Sequence, residues 1–187
     1  MAYALDLVDS TDRLQQLHEL DTIAYQEVGI DFLTFQQWWQ TYDLGLRIAL
    51  DGDRIVGAIG CWALDERTTR SFIGGALSEG KLLPMTHQQL CDERGSEFWY
   101  VSGVLIEAAL RNCLNSPLRL LLSAGISGIL SSGKVRYPAN VYALGYSPEG
   151  IALLKRLGFE QIRSADEMID SCPLYWKRLE GKQPLWR

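Results

Sequence analysis

The chain is expected to fold as a mixed α/β (α+β) protein, a central β-sheet flanked by helices, on three observations. β-like runs around 46–64, 98–109 and 140–146, the first and last with a period of two, alternate with runs at helical spacing. Asp51-Gly52-Asp53 joins two of the β-rich runs, and glycine supplies the positive φ that a tight hairpin turn requires. Asn140 to Gln161, NVYALGYSPEGIALLKRLGFEQ, holds a strand, a capped helix and a return strand in succession.

Each element has its own justification. Ala4 to Val8 form a short first strand, and Ser10, Thr11 and Asp12 offer capping oxygens ahead of a helix. Leu14, Leu17, Leu20 or Asp21, Ala24 and Val28 repeat at helical spacing, and Gly29 closes that helix. Phe32, Phe35, Trp38, Trp39 and Tyr42 repeat at the same period and read as core. LRIAL and RIVGAIGCWAL then make the hairpin of the second and third strands. Asp65 to Glu97 is broken by Gly74-Gly75, Gly80 and Pro84 and carries charges of both signs. It is expected to be a solvated insertion with a short polar helix over Met85 to Arg94.

Phe98 to Ala109, FWYVSGVLIEAA, is apolar on both faces, as a central strand must be. Its Ser102-Gly103 marks either a bulge or a glycine fitted under a neighbouring side chain. Ser116-Pro117 opens a helix whose buried stripe is Leu118, Leu121, Leu122, Ile126, Ile129 and Leu130, with Gly125 and Gly128 keeping another face small. Gly133 to Pro138 reads as a basic turn before the strand that ends in Tyr146. Ser147 is the next N-cap, Pro148 the first helical residue and Gly158 the left-handed stop behind the Ile151, Leu154 and Leu157 stripe. FEQIR and PLYWKRL supply the last strands, so the order is β-α-α-β-β-β-α-β-α-β-β.

Length and charge bound the function. The 187 residues, 47% hydrophobic and 22% charged, suit one domain spanning 1–187. A net charge of −5 and a pI near 5.1 argue against a nucleic-acid footprint and leave a small molecule or a protein as partner. No leader pattern and no membrane-spanning run is present, so no membrane partner and a cytoplasmic location are expected. Cys61, Cys91, Cys113 and Cys172 lack metal-ligand spacing with each other or with His18 and His87, and read as reduced and structural with no metal.

Ser147 to Phe159, S-x-x-G-x-x-L-L-x-x-L-G-F after a strand ending in tyrosine, resembles the C-terminal motif of the GCN5-related N-acetyltransferase (GNAT) superfamily. The element order extends the resemblance from Ala4 to Leu179. It implies that this helix packs beside the pantetheine arm of acetyl-CoA and that the first two helices close over an acceptor. It also implies a fourth strand that bulges and splays from the fifth in a V-shaped gap, leaving backbone at Val104, Leu105 and Ile106 to meet pantetheine. Arg111-Asn112-Cys113-Leu114-Asn115-Ser116 takes the place of the pyrophosphate loop, usually Q/R-x-x-G-x-G/A. Arg111 keeps its first position and Ser116 is small at its last, with Leu114 in place of a glycine.

The implied activity is acyl-CoA-dependent N-acyltransfer, with acetyl-CoA or another acyl-CoA as co-substrate. The acceptor would be a small-molecule or peptide amine attacking directly in a ternary complex, and a homodimer is allowed. The family's usual acid, a tyrosine four residues before the Gly-Phe pair, is Leu154 here. That leaves Glu107 as base, directly or through water, and Tyr142 or Tyr146, preferably Tyr146, as donor to the thiolate. Leu114 and Leu154 together support an alternative, a degenerate GNAT domain that binds CoA, an acyl carrier or a protein partner without catalysis.

Overall fold

A computed structural model of the chain describes residues 3–25, 30–111, 113–132 and 134–181. The helix end expected at Val28-Gly29, the loop residue Asn112 and the turn residue Gly133 lie outside the described residues. Strands β1 (Ala4–Leu7), β2 (Leu46–Asp51), β3 (Arg54–Leu64), β4 (Ser96–Ile106), β5 (Val135–Leu144), β6 (Glu160–Arg163) and β7 (Leu174–Leu179) form one sheet in the order β1-β2-β3-β4-β5-β7-β6. Every neighbouring pair is antiparallel except β4 and β5. The hairpin forms as expected, with Asp51 opposite Arg54 and Gly52 at φ 62°.

Helices α1 (Thr11–Tyr25) and α2 (Phe32–Thr41) follow the first strand. Leu14 and Leu17 of α1 are buried, as are Phe35 and Trp38 of α2. Asp31 caps α2 by accepting the Thr34 N–H at 3.0 Å. The Ser116-Pro117 helix, α5, spans 118–132 and contains a turn of π-helix at Leu121–Gly125, which periodicity alone does not reveal. A Cβ at Gly125 would stand 2.8 Å from Ile59 Cγ2, so the small face of α5 lets the helix sit close on β3. Ser147 caps the last helix, α6 (Pro148–Arg156), by accepting the Gly150 N–H at 3.1 Å, and Gly158 takes φ 78° behind it. The strand β5 begins earlier than expected, at Val135, so part of the basic stretch before Pro138 is strand.

The expectation of a solvated 65–97 insertion is corrected. Asp65 caps α3 (Glu66–Ile73) by accepting the Thr68 N–H at 2.8 Å, and a Thr86–Gln89 capping box starts α4 (His87–Asp92). Phe72, Leu82, Met85 and Leu90 of the segment are all buried, and Phe72 meets the Tyr100 ring of β4 edge-on at 5.2 Å between centroids. Its charges other than Glu79 stay at the surface while its apolar residues cover the sheet, so the segment is a packed layer. The short turn Glu79–Lys81 hangs between α3 and α4.

Gly75 ties that layer to the loop before β7. Its carbonyl accepts the Ile169 N–H at 3.2 Å, its φ is 77°, and a Cβ there would lie 2.0 Å from the Glu167 carbonyl oxygen. Both the left-handed backbone and the close backbone contact exclude a side chain. Gly75→Ala is expected to lower stability by about 1–3 kcal/mol, read as a reduced urea midpoint with an unchanged m-value.

Candidate functional site

In the parallel pair, Phe98, Trp99, Tyr100 and Val101 oppose Asn140, Val141, Tyr142 and Ala143 in turn, and pairing ends at Val101. From Ser102 to Ile106, β4 keeps β3 on one side and has no β5 partner on the other, while β5 continues beside β7 through Leu144. The splay begins at an irregularity. Gly60 of β3 opposes Gly103 and Cys61 opposes Val101, so Ser102 is the extra residue on β4. Trp62 Nε1 donates to Ser102 Oγ at 3.0 Å, and Gly60 lacks the Cβ that would stand 2.2 Å from that oxygen. The bulge reading of Ser102-Gly103 is the one the backbone adopts.

A cleft of about 520 Å³, counting its open mouth, lies against this part of β4. Ala58, Gly60, Ser102, Gly103 and Leu105 line it from the sheet, Leu17, Asp21 and Phe35 from the helices, and Glu79 and Tyr146 from the loops. No lysine, arginine or histidine is among these lining residues.

Glu79, which lines the cleft, is only 5% exposed. Tyr100 Oη donates to its Oε1 at 2.6 Å, and Tyr146 Oη donates to its Oε2. Its backbone N–H donates to Asp170 Oδ2 at 2.9 Å, which pins the turn that carries it. Burial pushes the Glu79 carboxyl up to about 7 against the two tyrosine hydrogen bonds, which hold it down, and Asp170 and Asp21 push it further up. Asp21 is pushed up to about 6, again by burial, with His18 opposing. Burial first, and then the Glu79 carboxylate, hold the Tyr146 phenol far above its usual range, so it stays protonated in neutral solution.

The residues expected from sequence are distributed unevenly. Tyr146 lines the cleft, just beyond the end of β5, whereas Tyr142 is buried within β5 beside β4 and β7. Glu107 follows β4 at the far end of the splay. Arg54 Nη1 donates to both of its oxygens at 2.8 Å, and it is not a lining residue of the cleft. Val104, Leu105 and Ile106 lie on the unpartnered stretch of β4. Arg111 folds back so that its Nε donates to the Ile106 carbonyl at 3.0 Å. Cys113 Sγ donates to the Ala109 carbonyl at 3.2 Å, while Leu114 and Asn115 are exposed. Ser116 N–H donates to the Cys113 carbonyl at 3.0 Å, and its Oγ accepts the Leu118 N–H at 3.4 Å ahead of α5.

Glu79 was hidden in sequence because it sits in a glycine-containing, charged stretch that resembles a surface loop. Its one signal is position, an acid in a short turn between Leu77 and Leu82. Asp21 was more visible, since it falls four residues after Leu17 on the buried stripe of α1. Among the described residues no group of His, Cys, Asp and Glu has a metal-binding arrangement, and no helix is long and apolar enough to cross a membrane.

No protein-family model and no curated protein sequence matches the chain. Solved structures do match its fold. The loading GNATL domain of CurA from Lyngbya majuscula is 17% identical, with a TM-score of 0.67 over 95% of this chain and 98% of that one. The GphF GNAT-like decarboxylase in complex with isobutyryl-CoA is 16% identical, with a TM-score of 0.59 over 94% and 98%. An agmatine N-acetyltransferase is 16% identical, with a TM-score of 0.59 over 95% and 100%. At this identity the likeness is one of fold, and the chain has the GNAT fold.

The raised Glu79 carboxyl links the cleft to stability. A folded-state value above the unfolded one, about 7 against 4.5, means that the folded protein binds this proton more tightly. The contribution is fully present below pH 4.5 and is lost as pH rises toward 7, by on the order of 2–3 kcal/mol. Unfolding free energy is therefore expected to fall between pH 5 and 8, and Glu79→Gln to flatten that decline. A variant whose decline matches the unmodified protein in urea melts would contradict this assignment.

Proposed function

We propose that the chain is an acyl-CoA-dependent N-acyltransferase that acylates a primary amine bound in the cleft. The observation that carries the reading is an acidic cleft, with no lysine, arginine or histidine among its described lining residues, opening on the bulged, unpartnered stretch of a central strand. Asp21 and Glu79 draw a cationic amine to this place. Glu79, with its carboxyl near 7, is matched to removing a proton from an amine in neutral solution. Tyr146, held protonated, is matched to giving a proton to a departing thiolate. Glu79 takes the base role here because Glu107 is engaged by Arg54 outside the cleft.

Acetyl-CoA or another acyl-CoA would enter through the splay. Backbone groups at Val104, Leu105 and Ile106 have no β5 partner and are suited to the amides of a pantetheine arm, and one N–H there would support the oxyanion. The loop through Leu114 and Asn115 and the start of α5 would face the pyrophosphate, with the helix dipole favouring its charge. Neighbours of this fold include a protein bound to isobutyryl-CoA and one named for N-acetylation of agmatine, which supports the co-substrate and the reaction class. A small-molecule amine or a peptide N-terminus is the acceptor class. The amine attacks the thioester directly, with both substrates bound. The non-catalytic alternative draws on Leu114, which is wholly exposed in the loop where a glycine is usual. Glu79 and Tyr146 meeting in the cleft argue for catalysis over that alternative.

The deciding experiment follows thiol release from acetyl-CoA and longer acyl-CoAs with a panel of primary amines, alongside thermal-shift titration with each acyl-CoA. Binding accompanied by amine-dependent thiol release is expected; binding alone would favour the non-catalytic reading, and neither would sink both. Gly103→Val should fill the cleft floor and reduce acyl-CoA affinity at least several-fold while the protein still melts cooperatively. The base must be ionised to act, so kcat/KM should rise with pH through about 7. Glu79→Gln should lower it by about 10²–10⁴-fold and remove that limb.

A further inference from the structure

We propose that Glu79 and Tyr146 are one proton relay, in which the proton taken from the amine and the proton given to the thiolate are exchanged directly between the two side chains. The inference rests on the acyltransfer reading above and concerns how its base and acid are connected. Independent groups would each exchange their proton with solvent between turnovers. These two are hydrogen-bonded to one another.

The two oxygens of Glu79 are not equivalent. Oε1 is held at 2.6 Å by the hydroxyl of Tyr100, which is fully buried in β4 and does not line the cleft. Oε2 is held by Tyr146, which does. The other groups facing Glu79 are Asp170, which accepts its backbone N–H, Asp21 on α1 with His18 beside it, and Cys172 in the loop before β7. Asp170 and Asp21 favour the protonated form of Glu79, and His18 opposes the same effect on Asp21.

An ionised carboxylate only accepts hydrogen bonds, whereas a protonated one carries an O–H that must donate. The Tyr100 hydroxyl already directs its hydrogen to Oε1. Protonation of Glu79 at Oε2 therefore reverses the polarity of its bond to Tyr146. The carboxyl donates, the phenol oxygen accepts, and the phenol hydrogen turns to another acceptor. In the loaded cleft that acceptor is the thioester sulfur. Taking the amine proton thus arms the acid.

From the neutral amine onward the step balances without solvent, an ammonium having first released one proton to solvent. The amine nitrogen bonds to the thioester carbonyl carbon, and Glu79 takes one of the nitrogen's protons. The C–S bond breaks, sulfur takes the phenol proton, and Glu79 returns its proton to the phenol oxygen. An amide and a free thiol result, one proton has moved from nitrogen to sulfur, and both side chains regain their starting states. Tyr100 acts as a positioning residue that keeps Oε2 the exchanging oxygen.

The test is a double-mutant cycle on single-turnover transfer from acetyl-CoA to the best amine found for the unmodified protein. It uses Glu79→Gln, Tyr146→Phe and the double variant at pH 9, above the Glu79 limb, with melting and acetyl-CoA binding checked for each. Each single change should slow transfer by about 10-fold or more, and the double variant should be no slower than the slower single one. Losses that multiply would show two independent groups and overturn the relay. A second measurement needs no variant. The unmodified protein's single-turnover rate in H₂O–D₂O mixtures should curve with deuterium fraction, because two protons move together, and a straight line would overturn the relay. If the unmodified protein acylates no amine, the acyltransfer reading fails and the relay with it; amine acylation with multiplying losses sinks the relay alone.

Discussion

The cleft in this molecule depends on β4 losing its partner halfway along. A central strand normally has both backbone edges paired, and unpaired N–H and C=O groups in a sheet interior are costly unless something else satisfies them. Here the parallel pairing stops at Val101 opposite Ala143, at the residue before the Ser102 bulge. The bulge inserts one residue against β3 and turns the strand, so continued pairing with β5 would break the register on the other side. Trp62 and Gly60 stabilise this local arrangement, one by a hydrogen bond to Ser102 and the other by leaving room for it.

The second constraint is electrostatic. Glu79 is nearly excluded from water, and burying an unpaired carboxylate costs far more than a surface one. Two tyrosine hydroxyls offset that cost only in part, and Asp170 and Asp21 add to it, which is why the carboxyl settles near 7. A carboxylate at its ordinary value would be a weaker base toward an amine; one buried without the tyrosines would remain protonated at neutral pH. The two tyrosine contacts set both the orientation of the carboxyl and part of its proton affinity.

The site is assembled from distant pieces. Asp21 comes from α1, Glu79 from the segment between β3 and β4, Ser102 from β4 and Tyr146 from the turn after β5. The layer containing Glu79 is held down by Phe72, Leu82, Met85 and Leu90 and tied to the β7 approach through Gly75 and Asp170. Stability and function therefore share residues. The packing that covers the sheet also delivers the carboxylate to the cleft.

Local rules in the sequence determined much of the fold. Asp-Gly set the hairpin, Ser147-Pro148 and Gly158 set the ends of α6, and the period-two and period-3.6 runs set the elements, because each depends on residues within a turn or two. The resemblance around Ser147 to Phe159 pointed to the fold that the tertiary structure adopts. Ser102-Gly103 marked the bulge without deciding between bulge and packing. What only the tertiary structure decided is which ionisable groups meet. Glu107 and Tyr146 both lie near the ends of central strands, yet Arg54, 53 residues away in sequence, draws Glu107 out to an ion pair while Tyr146 turns inward. Glu79 reads as a loop residue because local pattern reports composition, while its burial follows from apolar neighbours that fold over the sheet and from Tyr100, 21 residues away, and Tyr146, 67 residues away. Proton affinity depends on that enclosure, and enclosure is a property of the assembled layers.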